Sequence, residues 1–419
     1  MAKTGLIVGL VFLGILLVGC LTALIIINPF EKEPYEYNLT ASDEKLIFSQ
    51  NDFGFEVLEK LNNGEDANIF ISPSSIALAL SMTYNGADGQ TKQEMADVLR
   101  LNDLSIEEVN LASNNLIKYL ENPDPDIKLY VANSIWANEQ VEFKQDFLET
   151  NKEYYDAEVT SLPFDSKAIR KINGWVDDNT NGKIDKILDG VGPNDIMYLI
   201  NAIYFKGDWT EKFKKKNTED REFTLDDGTK IMTPLMKNSD RYSYLENDEF
   251  QAINMPYGDS KKISMFVFLP KDDSSEFVNN LNSEDWDKWM KDFKNKEGTI
   301  LMPKFKTEYE KELNEILIEM GMSSSFDENN ADFSNLAEIP GQNVYIGFVK
   351  HKTYVDVYEE GTEAAAVTVV GMRATSAGID PEPPFYMEVN KPFFFVIRDN
   401  ESGANLFMGY ITDPRSSDK

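Results

Sequence analysis

The chain has 419 residues, of which 42% are apolar and 12% aromatic, so it can fill a sizeable core and is not an intrinsically disordered chain. Its formal net charge is −31, from 72 acidic against 41 basic residues, and a surface with this charge should repel nucleic acid and anionic lipid head groups. The longest basic run, Lys214, Lys215 and Lys216, is more typical of a solvated face than of a polyanion site. We therefore expect no nucleic-acid partner, and no glycosaminoglycan site is apparent.

The N-terminus carries the clearest local signal. Residues 5–27 contain no charged side chain, and a helix of this stretch would be about 34 Å long, enough to cross a hydrocarbon core of about 30 Å. Lys3 precedes the stretch and three glutamates follow it between residues 31 and 36, which favours a cytoplasmic N-terminus. We therefore predict that residues 1–28 are a transmembrane anchor or signal segment and that the protein is extracytoplasmic and membrane-anchored.

Two other fates of this segment stay open. A cleaved signal peptide would give a secreted protein, although the apolar region of such peptides usually covers only about 7–15 residues. The residues LVGC, ending at Cys20, resemble the cleavage box of bacterial lipoproteins, which would make the protein lipid-anchored at Cys20. Cys20 is the single cysteine, so the exported part has no disulfide and depends on its core.

The rest of the chain is interpreted as a spacer and one large domain. Residues 29–47 form a polar spacer, in which Asn38 begins a glycosylation sequon, and residues 48–419 contain no linker or repeat. Helical periodicity is found at residues 52–61, 73–84 and 167–188. Short β-branched or apolar runs typical of buried strands are found at residues 265–269, 345–349 and 392–397. Helices early and strands late predict an α+β fold.

The usual catalytic patterns are missing. The chain has no GxSxG, HExxH, CxxC or P-loop motif, and its single histidine, His351, leaves little room for a His-dependent mechanism or a metal site. The strand-like residues around His351 are typical of a core histidine with satisfied hydrogen bonds. We expect no enzyme, cofactor or metal, with an extracytoplasmic hydrolase as the remaining enzymatic alternative.

Residues 359–376, EEGTEAAAVTVVGMRATS, combine helix formers with β-branched residues between two glycines. As a strand, the segment would place an uncharged set of small or β-branched side chains on one face, where helices could bury it. That set is Thr362, Ala364, Ala366, Thr368 and Val370. The one charged residue of this half, Glu363, would lie on the opposite face. The pattern predicts a segment that can change from an exposed loop to a buried strand.

Several motifs in this order resemble the serpins, the serine protease inhibitor superfamily. Residues 359–368 resemble the hinge of the serpin reactive loop. Four other stretches are similar to serpin segments: NIFISPSSI at 68–76, INGWVDDNTNGKI at 172–184, LINAIYFKGDW at 199–209 and MEVNKPFFFVI at 387–397. The resemblance covers about residues 49–414. The chain is identified as a member of this superfamily, of inhibitory and prokaryotic-like type with an N-terminal anchor.

The resemblance implies a fold and a mechanism. The expected fold has three β-sheets surrounded by about eight or nine helices, with an exposed reactive loop at about residues 359–384 that can insert into the main sheet. The expected function is suicide inhibition of serine-type endopeptidases by a monomer: the protease cleaves the loop and is trapped covalently as the loop inserts. A non-inhibitory serpin acting as a binding or chaperone protein is the alternative.

The resemblance also assigns residues. The scissile bond follows Thr375 and precedes Ser376, with Arg373 as the other candidate, so elastase-like or subtilisin-like targets are preferred and trypsin-like ones are possible. The hinge comprises Glu359, Glu360, Gly361, Thr362, Glu363, Ala364, Ala365, Ala366, Val367 and Thr368. Before cleavage, we expect the side chain of Thr362 to be exposed or only shallowly inserted.

The remaining assigned residues are expected to control opening of the main sheet. The shutter that must part comprises Ser72, Ser75, Asn201 and His351. Trp209 is similar to the aromatic residue beneath the point where the loop joins the sheet. Lys304 is similar to the lysine that pairs with the first hinge glutamate, Glu359.

Overall fold

The computed structural model describes residues 38–64, 68–120, 127–192, 195–340, 343–362 and 383–415. The chain separates into two compact units, Met1–Tyr37 and Asn38–Lys419, and the described residues all lie in the second. The predicted anchor at residues 1–28 and Cys20 therefore lie outside the described residues. Among the described helices, none combines the length and apolar character that a membrane span requires.

The described residues form nine α-helices. They are α1 (Ala41–Leu61), α2 (Pro73–Tyr84), α3 (Gly89–Val98), α4 (Ile106–Leu120), α5 (Gln145–Tyr155), α6 (Ser166–Asn179), α7 (Ser274–Asn279), α8 (Ser283–Asp292) and α9 (Asn314–Glu319). Helix α1 begins with a capping box, in which the Thr40 side chain accepts from the Asp43 backbone and the Asp43 side chain accepts from the Thr40 backbone. Helix α2 begins after Ser72, whose hydroxyl accepts from the Ser75 backbone, and Pro73 occupies its first position.

Fifteen strands are present in the described part of the chain. They are β1 (Asn68–Ile71), β2 (Ile127–Asn138), β3 (Glu158–Leu162), β4 (Met197–Asp208), β5 (Glu219–Thr224), β6 (Lys230–Glu246), β7 (Phe250–Pro256), β8 (Ile263–Pro270), β9 (Lys294–Pro303), β10 (Phe305–Glu312), β11 (Lys350–Tyr358), β12 (Gly361–Thr362), β13 (Phe385–Glu388), β14 (Phe393–Asp399) and β15 (Asn405–Ile411).

One group of strands has the order β1-β15-β14-β8-β7-β6-β9-β13, with β5 also paired to β6. The long strand β6 pairs with β5 and β9 through most of its length and with β7 only at its last residues. It therefore belongs to two sheets, one made by β5, β6, β9 and β13 and one made by β1, β15, β14, β8, β7 and β6. Hydrogen bonding through β6 joins two of the three expected sheets into one.

The remaining strands form the main sheet, with the order β10-β11-β12-β4-β2-β3. Its inner face packs on α2, which contacts β4, and on β1, which contacts β10 and β11. Its outer face is covered by α6 and the segment after it, through a buried cluster that includes Ile172, Val176, Trp136 and Ile200. The main sheet is therefore a middle layer, and anything that enters it must pass between these two covers.

The predicted α+β class and fold are confirmed. The spacer predicted at residues 29–47 overlaps α1, which begins at Ala41 and buries Leu46 and Ile47, and the helix expected at residues 52–61 is the second half of α1. Two further predicted elements also differ from the structure. The helix expected at residues 167–188 ends at Asn179, because Asn181 and Gly182 have positive φ and turn the chain out of the helix. The strand expected at residues 345–349 is irregular, since the Ile346 and Val349 backbone amides bond to groups outside any ladder, Ser325 O and Asn314 Oδ1. These two irregular segments both lie at one end of the main sheet.

Candidate functional site

The start of the predicted reactive loop is already a strand of the main sheet. In β12, Gly361 and Thr362 pair antiparallel with Tyr358 and Val357 of β11 on one side. On the other side, they pair antiparallel with residues 207–208 of β4. Gly361 is the residue that this close approach requires, because an added Cβ would lie 2.1 Å from the carbonyl oxygen of Gly207.

The side chain of Thr362 is buried, with an exposed fraction of only 2%. Its hydroxyl lies 2.7 Å from the hydroxyl of Tyr257, which is also fully buried. The expectation that Thr362 is exposed or shallowly inserted before cleavage is therefore wrong. Since β12 lies between β4 and β11 at Thr362, these two strands are already separated there. The buried pocket for the Thr362 side chain therefore exists before cleavage.

The two glutamates before β12 are held by cations. Lys304 Nζ lies 3.0 Å from Glu359 Oε2, and the Thr218 hydroxyl donates to Glu359 Oε1 at 2.8 Å. Burial alone would raise the pKa of Glu359, but the hydrogen bonds from Lys304 and Thr218 hold it below its ordinary value. Lys215 Nζ lies 2.7 Å from Glu360 Oε1. One lysine of the run interpreted as a solvated face is thus part of the site.

Trp209 lies beneath the residues that lead into β12. Its indole stacks on Tyr257 with ring centroids 4.4 Å apart, and its Nε1 donates to the Tyr358 carbonyl at 2.9 Å. Its backbone N–H donates to the Glu360 carbonyl at 2.8 Å. One buried unit is therefore formed by Trp209, Tyr257 and Thr362, at the end of the main sheet that contains β12, which we call its upper end.

Below β12, no described strand lies between β4 and β11. Within the described residues, β4 pairs with β2 and β12, and β11 pairs with β10 and β12, but β4 and β11 do not pair with each other. We call the space between β4 and β11 the slot. Along the lower part of β4 and β11, no described residue pairs with the edge that faces the slot, so these backbone donors and acceptors could pair with a further strand.

The four predicted shutter residues lie together beneath the slot. His351 of β11 accepts a hydrogen bond at Nε2 from the Ser72 backbone N–H, with a distance of 3.0 Å. The Ser75 hydroxyl donates to Asn201 Oδ1 of β4. The Ser72 hydroxyl donates to the Leu406 carbonyl at 2.7 Å. The start of α2 thus connects the two strands that border the slot.

His351 is neutral in this setting. Its side chain is buried, and the loss of hydration lowers its pKa to about 3. Because Nε2 accepts from Ser72, the ring proton is on Nδ1. No described residue bonds to that Nδ1–H. A protonated His351 could not accept from Ser72, so the contact depends on the neutral ring.

The buried polar chain extends beyond the four predicted residues. Asn201 Nδ2 donates to Asn133 Oδ1 of β2 at 2.7 Å, and Asn133 Nδ2 donates to the Tyr155 carbonyl at 2.8 Å. The Tyr155 hydroxyl donates to Asn110 Oδ1 at 2.9 Å. Sequence reasoning missed Asn133, Tyr155 and Asn110, and only the buried position of a polar residue within an apolar strand could have suggested Asn133.

An ionic clasp crosses the outer face of the slot's lower end. Lys350 Nζ lies 2.7 Å from Glu310 and 3.3 Å from Asp189, which belongs to the segment after α6. Lys352 Nζ lies 2.7 Å from Glu308 and donates to the Lys186 carbonyl at 3.2 Å. Burial alone would lower the pKa of Lys352, but its hydrogen bond to Glu308 raises it. The segment that covers the slot is therefore tied to β11 by charge.

Some of the predicted residues cannot be located. Hinge positions 363–368, the candidate bonds at Thr375–Ser376 and at Arg373, and the rest of the loop up to residue 382 lie outside the described residues. The structure brings together the other hinge positions with Trp209 and Lys304 at one end of the slot and the shutter residues beneath it. Tyr257 and Thr218 were missed, and nothing in their local sequence distinguishes them.

Known proteins share this architecture. The family model of Serpin (serine protease inhibitor) matches residues 48–414. An uncharacterized serpin-like protein from Thermococcus kodakarensis is 32% identical over 91% of this chain and 88% of the relative.

Solved structures agree with the family match. The native state of the thermophilic serpin tengpin is similar with a TM-score of 0.80 and 35% identity, covering 90% of this chain and 96% of that one. A complex of thyroxine-binding globulin with thyroxine is similar with a TM-score of 0.77 and 28% identity, covering 88% of this chain and 99% of that one. The described fold, the motifs and these matches lead to one conclusion: the chain belongs to the serpin family.

Proposed function

We propose that the protein inhibits serine-type endopeptidases by covalent trapping, in which cleavage of the reactive loop lets residues after Thr362 insert between β4 and β11. The observation that carries the proposal is β12 itself. Its two residues already pair with both borders of the slot, so the loop begins as the first step of an inserted strand. Insertion would add residues to the strand pairing that β12 has already begun, so no new strand pair has to form first.

The register of β12 fixes where each following residue would lie. Thr362 is opposite Gly207 and Val357, so Ala364 would be opposite Phe205 and Val355. The side chains of Phe205 and Val355 are buried. The even-numbered residues of the segment would therefore face the interior, and these are the uncharged set Thr362, Ala364, Ala366, Thr368 and Val370.

Two later positions support the same register. Thr368 would lie between Asn201 and His351, where its hydroxyl could join the polar chain of the shutter. Glu363 would lie on the outer face between Lys206 and Asp356. In the present sheet, Lys206 is directly opposite Lys128, an arrangement of like charges that destabilises a strand pair. A carboxylate inserted beside Lys206 would offset this repulsion, and its other neighbour, Asp356, already lies opposite Lys306, which compensates the second carboxylate.

The energy available is large. A central strand makes ladder hydrogen bonds on both sides, so residues 363–368 alone would add about ten, each contributing roughly 1 kcal/mol net. The total of roughly 10 kcal/mol is comparable with the whole stability of an ordinary domain. The opposing terms are the clasp at Lys350 and Lys352 and the shutter contacts, which must open before the strand can pass.

The reactive bond and the target are further parts of the proposal. By motif the bond is Thr375–Ser376, and a small uncharged residue before the bond fits elastase-like or subtilisin-like pockets. Such a residue would leave the acidic pocket of a trypsin-like enzyme without a partner. Cleavage after Arg373 would instead indicate a trypsin-like target. We propose that the inhibitor works outside the cytoplasm, held at the membrane by residues 1–28.

A non-inhibitory role is the second candidate. The similarity to thyroxine-binding globulin favours it, because that structure contains a bound small molecule. The small, uncharged inward set of the loop favours inhibition, since bulky or charged residues there would oppose insertion.

The test is incubation with elastase-like, subtilisin-like and trypsin-like proteases, read on a denaturing gel and by mass spectrometry of the released C-terminal peptide. An inhibitor gives a band that contains protease and chain, stable in SDS, and a peptide that begins at Ser376. Cleavage without such a band, with the protease fully active, would favour the binding or chaperone role. A peptide that begins at Ala374 would move the bond to Arg373.

A further inference from the structure

A cavity of about 180 Å³ lies at the lower end of the slot, beyond the shutter. We call it the lower-sheet cavity. Its lining comes from α2, from both borders of the slot and from the irregular segment before β11. Most of that lining is apolar and includes Ile76, Leu80, Leu199, Phe333, Leu336 and Ile346. An engineered cavity of about 150 Å³ binds benzene, so the volume of this one is sufficient for an aromatic ring.

The lower-sheet cavity extends to the surface of α2 at Ala79. Ala79 is half-buried, although Leu78 and Leu80 beside it are fully buried. Two aromatic side chains at the rim are also partly exposed, Tyr345 by 42% and Phe348 by 38%. The cavity thus has an apolar body with aromatic residues at its mouth.

One polar group of the lining is a possible donor to a ligand. His351 lines the cavity, and its tautomer is fixed because Nε2 accepts from Ser72. In the described part of the chain, nothing accepts from its Nδ1–H. A ligand that carries an acceptor could therefore take a hydrogen bond from the Nδ1–H of His351.

The charged groups of the lining are already paired. Asp195 accepts from the Tyr198 hydroxyl and from the Gly192 backbone, and Lys350 is bonded to Glu310 and Asp189. A charged ligand would therefore find no free counter-ion among them. The cavity selects a neutral molecule.

We propose that the lower-sheet cavity binds a small neutral aromatic molecule with one hydrogen-bond acceptor, and that the bound molecule slows strand insertion. The first half stands on the cavity alone. The second half rests on the proposed function: a molecule in contact with Leu199 of β4 and His351 of β11 occupies the region where these strands must part.

The single histidine gives a direct probe of binding. Protein labelled only at the histidine ring has one set of ring signals, from His351. We expect acetophenone to shift the Nδ1–H signal saturably, whereas ethylbenzene, which has a similar shape and no acceptor, should bind about fivefold more weakly because it lacks the hydrogen bond. No shift with acetophenone up to its solubility limit would overturn the site, and equal affinity for both molecules would overturn the role of His351.

A second experiment uses a substitution that fills the lower-sheet cavity. Ala79→Leu adds three carbons from α2 into the space, and Ala41→Leu adds the same carbons at the exposed start of α1. Acetophenone affinity should fall at least tenfold in Ala79→Leu and stay unchanged in Ala41→Leu. Equal binding by both variants would place the molecule elsewhere and refute the proposal.

A third experiment measures protease trapping in the presence of saturating acetophenone. We expect more inhibitor molecules to be cleaved for each protease trapped, in the wild type and in Ala41→Leu but not in Ala79→Leu. Saturable binding with unchanged trapping would refute the coupling to insertion and leave the binding site standing. Saturable binding to a protein that traps no protease would refute the proposed function and not the site.

Discussion

Two adjacent alanines of the reactive loop allow the insertion register to be tested with one kind of substitution. Extension of the β12 pairing predicts that Ala364 faces the interior, opposite Phe205 and Val355, which are buried. Ala365 would lie on the outer face, opposite Tyr204, which is buried, and Tyr354, which is partly exposed. The ring of Tyr354 already has two lysine ammonium groups within 6 Å, so this face accommodates cations.

Ala364→Arg should therefore stop trapping, and Ala365→Arg should not. Burial of a guanidinium without a partner costs several kcal/mol even after relaxation. If only 3 kcal/mol of this cost is present in the transition state for insertion, insertion slows more than a hundredfold. A chain that traps ten proteases for each one that escapes would then trap about one in eleven.

The assay counts inhibitor molecules consumed per protease inactivated and identifies the cleaved bond by mass spectrometry. Ala364→Arg should be cleaved at the wild-type bond and release active protease, and Ala365→Arg should keep most of the inhibition. If both variants trapped equally well, or both failed equally, the alternating-face register would be wrong. Thr362→Arg is less informative, because Thr362 is buried before cleavage and the substitution would also destabilise the uncleaved fold.

Three further predictions follow from the described contacts. Thr362→Val should lower the free energy of unfolding by about 1–2 kcal/mol, because the buried Tyr257 hydroxyl loses its partner; adding Tyr257→Phe should recover part of this loss in urea titrations, and no recovery would refute the pairing. The folded-state pKa of His351, about 3, lies below the unfolded value of 6.5, so the unfolded state binds the proton first and stability falls as pH drops from 6.5 towards 3, by about 1.4 kcal/mol per unit. His351→Gln should lose this slope between pH 6.5 and 5, and an unchanged slope would assign it to other groups. Lys350→Met should speed insertion up to about fivefold at low salt, since it removes the ion pair to Asp189 of the covering segment, whose exposed carboxylate limits the pair to about 1 kcal/mol; stopped-flow rates in high salt should remove the difference.

The sequence predicted the family, the helix α2 and most of the residues that meet at the slot. The loop segment gave the strongest prediction, because its alternation of small uncharged residues can be seen in the sequence without knowledge of any tertiary contact. The shutter came from motif resemblance, and the structure adds why those residue types are suitable: Ser72, Ser75 and Asn201 bond through short side chains beneath two strands that must separate.

Other features could not be predicted because they depend on register and on distant partners. The burial of Thr362 follows from its place between β4 and β11, which no local pattern encodes. Tyr257 and Thr218 reach the site from segments that are remote in sequence. The irregular course of residues 345–349 depends on bonds from Asn314 and Ser325, so an apolar run that resembles a strand lines a cavity instead.

Hydrogen exchange before and after cleavage of the loop tests the central claim most directly. The claim is that the edges of β4 and β11 that face the slot receive the loop as a new strand after cleavage. Peptides that cover residues 197–207 and 350–357 should exchange rapidly at their slot-facing amides in the intact protein and become strongly protected once the loop is cut. Unchanged exchange in both strands after complete cleavage would show that no strand enters the slot and would contradict the account.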